Sequence, residues 1–101
     1  MVKHVVFFRL ADMAEGKTKL ENAQIIKQGL LSLLDKVPVL RSEKVGINIP
    51  NAAKTDYDIC LECEFDTWAD VDTYQNHPEH LAIVSFVKKV VTERRAVDFE
   101  F

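Results

Sequence analysis

The sequence predicts an α+β domain: a four-stranded antiparallel sheet with helices on one face. Three observations carry this. Segments that alternate with period two are interleaved with segments of helical period, in the order strand, helix, strand, strand, helix, strand. The link between the middle two strands is short, which makes them antiparallel neighbours. The first strand is apolar on both of its faces, so both sides of it need cover.

Lys3 to Leu10 is rich in β-branched and aromatic residues, as strands are. His4, Val6, Phe8 and Leu10 share one face; Val5 and Phe7 share the other with Lys3 and Arg9. Ala11 to Lys17 reads as a loop. Thr18 and Glu21 have the capping-box form and open a helix to about Lys36. Leu20, Ala23, Ile26, Leu30, Leu33, Leu34 and Val37 form its apolar stripe. Gly29 costs that helix about 1 kcal/mol in propensity and points to close packing on the sheet. Pro38 ends it.

Arg41 to Ile49 is the second strand, with Glu43, Val45, Ile47 and Ile49 on one side and Gly46 marking a bulge or a close approach. Pro50 to Asp56 is a polar turn. Tyr57 to Phe65 is the third strand, with Tyr57, Ile59, Leu61, Cys63 and Phe65 on its apolar face. Cys60 and Cys63 have CxxC spacing, but residues three apart on a strand point to opposite faces. They read as reduced, unpaired thiols.

Thr67 caps a short helix from Trp68 to about Asn76. Pro78 suits the first position of a new helix, with His77 as an outward-facing cap. That helix runs to about Val90, with His80, Val84, Val87 and Val91 along one stripe. Thr92 to Phe101 is the last strand; Val97, Phe99 and Phe101 alternate with Ala96, Asp98 and Glu100. The order is the ferredoxin-like βαββαβ pattern, in one domain spanning residues 1–101.

A chain of 101 residues buries a modest core, and covering the second face of the first strand with another copy adds to it. A homodimer through the open sheet face is therefore expected. The net charge of −3 leaves no broad basic surface for phosphates, so nucleic acid is not an expected partner. Lys88, Lys89, Arg94 and Arg95 read as a solvated helix end. No apolar run approaches ~18 residues and the N-terminus lacks signal-peptide form, so the expected setting is the cytoplasm, away from membranes.

The stretch Tyr74-Gln75-Asn76-His77-Pro78-Glu79-His80 concentrates the side chains able to do chemistry. His80 lies on an apolar helix stripe, Tyr74 on the inward side of the preceding helix, and His4 on one face of the first strand. Convergence of the three would set a histidine beside a phenol, a plausible proton-transfer pair. The plainer reading is that all three are core or helix-end residues. His77 and His80 also offer metal-donor chemistry, but their spacing is loose and a third ligand is missing, so no metal is assigned. No cofactor-binding loop, nucleophile elbow or HExxH motif is present.

Lys3-His4-Val5-Val6-Phe7-Phe8, Gly46-Ile47-Asn48, the Tyr57–Phe65 strand, Tyr74 through Pro78-Glu79-His80 and Val97-Asp98-Phe99 together resemble the stress-responsive A/B barrel domain family. The resemblance spans nearly the whole chain. It implies a dimeric α+β barrel, two ferredoxin-like protomers joined through their open sheet faces. It implies no cofactor.

Many members of that family have no assigned activity; one plant member, olivetolic acid cyclase, closes an aromatic ring by aldol condensation. By that resemblance His80 is the general base, Tyr74 orients it or the substrate, and His4 lines the pocket with Val6, Phe8, Ile59, Leu61, Trp68 and Val84. Ile59 stands where the cyclase has a further pocket histidine, and the first helix lacks the cyclase's aromatics. The expected function is binding of a small apolar or phenolic ligand between sheet and helices. A cofactor-independent cyclase or lyase using His80 and Tyr74 is the alternative. A haem-degrading or antibiotic-biosynthesis-type monooxygenase is the third reading.

Overall fold

Strand β1 (Val2–Leu10) is paired on both sides, and the rest of the sheet is built outward from it. The computed structural model describes all residues from Met1 to Phe101. Two short strands, β2 (Met13–Ala14) and β3 (Lys17–Thr18), precede helices α1 (Lys19–Leu31) and α2 (Leu33–Lys36). Then come β4 (Ser42–Ile47), β5 (Ile59–Phe65), α3 (Trp68–Asn76), α4 (Pro78–Val90) and β6 (Val91–Glu100). The main sheet has the order β4-β5-β1-β6 and is antiparallel throughout, the ferredoxin-like arrangement expected.

Local chemistry explains the boundaries. Thr18 and Glu21 form the full capping box at the start of α1. Thr67 accepts from the Asp70 amide to open α3, and the His77 ring accepts from the Glu79 amide at 3.1 Å to open α4, with Pro78 in its first turn.

Several expectations need correction. Gly46 marks neither a bulge nor a close approach: β4 keeps regular register with β5, and a Cβ there would meet nothing within 4 Å. The Ala11–Lys17 loop contains the β2–β3 hairpin, because Glu15 and Gly16 both take positive φ, as a tight hairpin turn requires. The long first helix is broken at Ser32, whose hydroxyl donates to the Gly29 carbonyl at 2.6 Å and competes with the helical ladder. Leu20 and Leu34 on its predicted stripe are exposed, whereas Ala23, Ile26, Leu30, Leu33 and Val37 are buried.

The core lies between the helices and one sheet face. Val2, Val6, Phe8 and Leu10 of β1 and Ile59, Leu61, Cys63 and Phe65 of β5 point into it. Burial of such side chains contributes about 1.5–3 kcal/mol each. The opposite face carries Phe7, Val97 and Phe99, which are 36%, 55% and 44% exposed. Cys60 lies on that open face beside Phe7, opposite in facing to buried Cys63; both thiols are free. No helix is long and apolar enough to cross a membrane.

A Cβ on Gly29 would meet Ile83 Cδ1 of α4 at 2.8 Å, so the close approach at this glycine is to the neighbouring helix and not to the sheet. Gly29→Ala alone should change stability little, because the helix-propensity gain is offset by displacement of Ile83. Gly29→Ala with Ile83→Val removes the clashing methyl. That pair should be more stable than Ile83→Val alone by about 1 kcal/mol in urea unfolding.

Candidate functional site

A cavity of about 560 Å³ lies between the inner faces of β1 and β6 and the inward face of α4. Six predicted site residues line it: His4, Val6, Phe8, Leu61, His80 and Val84. Three others do not. Ile59 is buried in the core away from the cavity wall, on the β4 side of the sheet, where α1 packs. Trp68 is 61% exposed: α3 buries Val71 and Tyr74, and Trp68 in its first turn lies outside that contact. Tyr74 is fully buried behind the wall.

His80 is the best-defined group in the cavity. Its Nδ1 lies 3.0 Å from the Gln75 carbonyl, which can only accept, so Nδ1 carries the proton. The neutral ring then holds its lone pair on Nε2, the arrangement a general base needs. Burial is the main cause that lowers the His80 pKa; the bond to the Gln75 carbonyl opposes it, and His4 and Arg94 add to the lowering. The balance favours the neutral ring.

His4 is almost wholly buried, and its Nδ1 is hydrogen-bonded to the carboxylate Oδ1 of Asp98 on the neighbouring strand. That partner fixes the ring's orientation, as carboxylates do for catalytic and metal-binding imidazoles.

Tyr74 links the two. Its ring centroid is 4.5 Å from that of His80, 6.5 Å from that of His4 and 5.2 Å from that of Phe65. Its hydroxyl lies on the far side, beside the Cys63 thiol but without hydrogen-bond geometry, and has no partner. Desolvation pushes the phenol pKa well up. Tyr74 therefore acts on His80 through ring packing.

Strand register reveals a row that local sequence does not. Glu43 pairs with Cys63, Cys63 with His4, and His4 with Asp98, one residue from each strand across the inner face. Glu43 approaches the Cys63 sulfur at 3.9 Å, and desolvation pushes its carboxyl up to about 7. Burial, with Glu43 adding to it, pushes the Cys63 thiol up, so it is held protonated. The available signal for Glu43 was its place on the same face as Val45. Asp98 alternates with Val97 and Phe99. His77 serves as a helix cap, and no cluster of three or more His, Cys, Asp or Glu side chains is arranged around a common point.

Glu43 yields a stability effect of definite sign. The folded protein keeps its proton where the unfolded chain, near 4.5, has released it, so folding is penalised as pH rises from about 4.5 through about 7. Glu43→Gln should therefore gain on wild type across that window. The widening should be on the order of 1 kcal/mol after solvent screening of a partly exposed group. Urea unfolding at pH 4 and pH 8 measures it; a gap that stays constant would mean that Glu43 ionises alike in both states.

The model of the family described as "Stress responsive A/B Barrel Domain" matches residues 2–101. A dimeric ferredoxin-like protein of unknown function from Bacteroides fragilis is 35% identical, covering 99% of this chain and 95% of its own, with a TM-score of 0.88. A second dimeric ferredoxin-like protein of unknown function, from Thermobifida fusca, is 24% identical, covering 99% and 90%, with a TM-score of 0.83. A hydroxynitrile lyase from Passiflora edulis shares the fold at 16% identity, covering 97% and 90%, with a TM-score of 0.76. No curated protein matches the chain. With nearly every residue matched by the family model and the expected sheet order present, the chain belongs to the stress-responsive A/B barrel domain family.

Proposed function

We propose that this protein is a homodimeric, cytoplasmic small-molecule-binding domain whose ligand sits between β1, β6 and α4. The observation that carries the reading is the cavity of about 560 Å³ with largely aliphatic walls and two imidazoles. Its size is that of sites for small metabolites. Val6, Leu61, Val84 and Val87 suit a hydrocarbon or aromatic body, and His4 and His80 suit a hydroxyl or carbonyl at one end. Homodimerisation is supported by the exposed apolar face of Phe7, Val97 and Phe99 and by the dimeric descriptions of the Bacteroides and Thermobifida relatives.

A second reading, a cofactor-independent enzyme, is favoured by one observation. The Gln75 carbonyl leaves the His80 Nε2 lone pair free on a ring that lines the cavity. His80 would withdraw a proton from a phenol or from carbon next to a carbonyl. Tyr74 would be a positioning residue, because its hydroxyl does not reach the cavity.

Thermal shift with 4-butylphenol tests the binding reading. A ligand of Kd ~0.1 mM at ~1 mM should raise Tm by about 5 °C or more. Val84→Trp, which fills the cavity, should abolish the shift; a shift that survives it means that binding occurs elsewhere. Deuterium uptake into the methyl group of acetophenone, followed by NMR, tests the enzyme reading. His80→Gln should slow it by about 100-fold or more, and equal rates in both proteins would leave only the binding role. Light scattering should give twice the 11.6 kDa chain mass, and Phe99→Asp should return it to that of one chain.

A further inference from the structure

The cavity is chemically polarised along its length. α4 leads directly into β6, and the start of α4 lies near the end of β6: the Tyr74 ring is 4.5 Å from that of His80 and 6.5 Å from that of His4, which pairs with Asp98. At that end are His80, His4 and Asp98. At the other end are Lys88, late in α4, and Arg94, early in β6, both of which line the cavity. Two rulers agree on the separation. His80 to Lys88 is eight helical residues, ~12 Å at 1.5 Å each. The His4–Asp98 and Phe8–Arg94 pairs are four strand residues apart, ~13 Å at about 3.3 Å each.

Neither Lys88 nor Arg94 takes part in an ion pair, in a chain whose net charge is −3. One carboxylate, Glu93, also lines the cavity at this end, but it accepts from Arg9 at 3.0 Å and from Arg95 at 2.7 Å, so its charge is already paired. Asp98 is held by His4 at the opposite end. A solvated helix end accounts for Lys88 and Lys89 alike, since both suit the dipole of α4. It does not account for Arg94, which projects from the inner face of an edge strand in register with Phe8.

We propose that the ligand is an amphiphilic acid, its anionic group held by Arg94 and Lys88 and its apolar body running along Val6, Phe8 and Val84 toward His80 and His4. This rests on the reading of the cavity as the ligand site and adds the ligand's charge and its polarity. Arg94 supplies a two-pronged donor for a carboxylate, and Lys88 a mobile second charge.

Calorimetry on the intact protein with 5-phenylpentanoate, 5-phenylpentanamide and 5-phenylpentylamine tests it. The acid should bind at least tenfold tighter than the amide, and the amine most weakly. That preference should shrink between 20 mM and 500 mM NaCl. In the Lys88→Gln, Arg94→Gln double variant, the acid should weaken to the level of the amide while amide affinity stays as in wild type. Both positions are exposed, and an unchanged circular dichroism spectrum and Tm would establish that the variant is folded. Equal binding of acid and amide by wild type, or a preference that survives the double substitution, would overturn the acid subsite and leave the cavity reading standing. Binding of none of the three would overturn both.

Discussion

Strand β1 sits inside the sheet with large apolar side chains on both faces, and the helices of this chain cover only one of them. The helices cover Val6, Phe8 and Leu10, which are nearly inaccessible to solvent. Val5 and Phe7 look the other way, in a sheet whose second face has no helix. The sheet therefore has an inside that holds the chemistry and an outside that resembles half of an interface. Arg9 on that outer face packs over Tyr57 with its guanidinium carbon 4.5 Å from the ring centroid, and bonds Glu93. Even its cations are organised by stacking and pairing.

On the inside, one row of four residues crosses the whole sheet: Glu43, Cys63, His4 and Asp98. Buried polar groups of this kind are costly unless partnered, and only part of the row is. His4 and Asp98 satisfy one another. Glu43 and Tyr74 each keep a buried oxygen without a partner, and their pKa values rise accordingly. Tyr74 roofs this row, its ring filling the space between His4, Phe65 and His80. The tyrosine thus holds His80 in place by packing while the Gln75 carbonyl sets its tautomer. A proton-accepting nitrogen in the cavity depends on both.

The helix junction at His77-Pro78 divides the two neighbouring histidines by role. His77 spends its ring nitrogen on the amide of Glu79, and its contribution is to start α4. His80, three residues on, has turned inward to the cavity wall. The proline makes that rotation reproducible, because it ends α3 and restarts the helical phase at a defined residue.

Much of this was legible locally. Alternation in Lys3–Leu10 and Tyr57–Phe65, the Thr18–Glu21 capping box and Pro78 are short-range signals, and they stated element order and the inward facing of His4, His80 and Tyr74. Local reasoning went astray where competing short-range bonds intervene, as at Ser32 and in the Glu15–Gly16 turn. It also went astray where lateral position decides: Ile59 and Trp68 have the right residue type for a pocket but lie off its wall. Alternation shows which side chains of one strand share a face, because backbone geometry turns successive residues to opposite sides. Only the tertiary structure decided which of them meet. The pairing of His4 with Asp98, 94 residues away, depends on hydrogen-bond register between strands, which no property of either segment alone specifies.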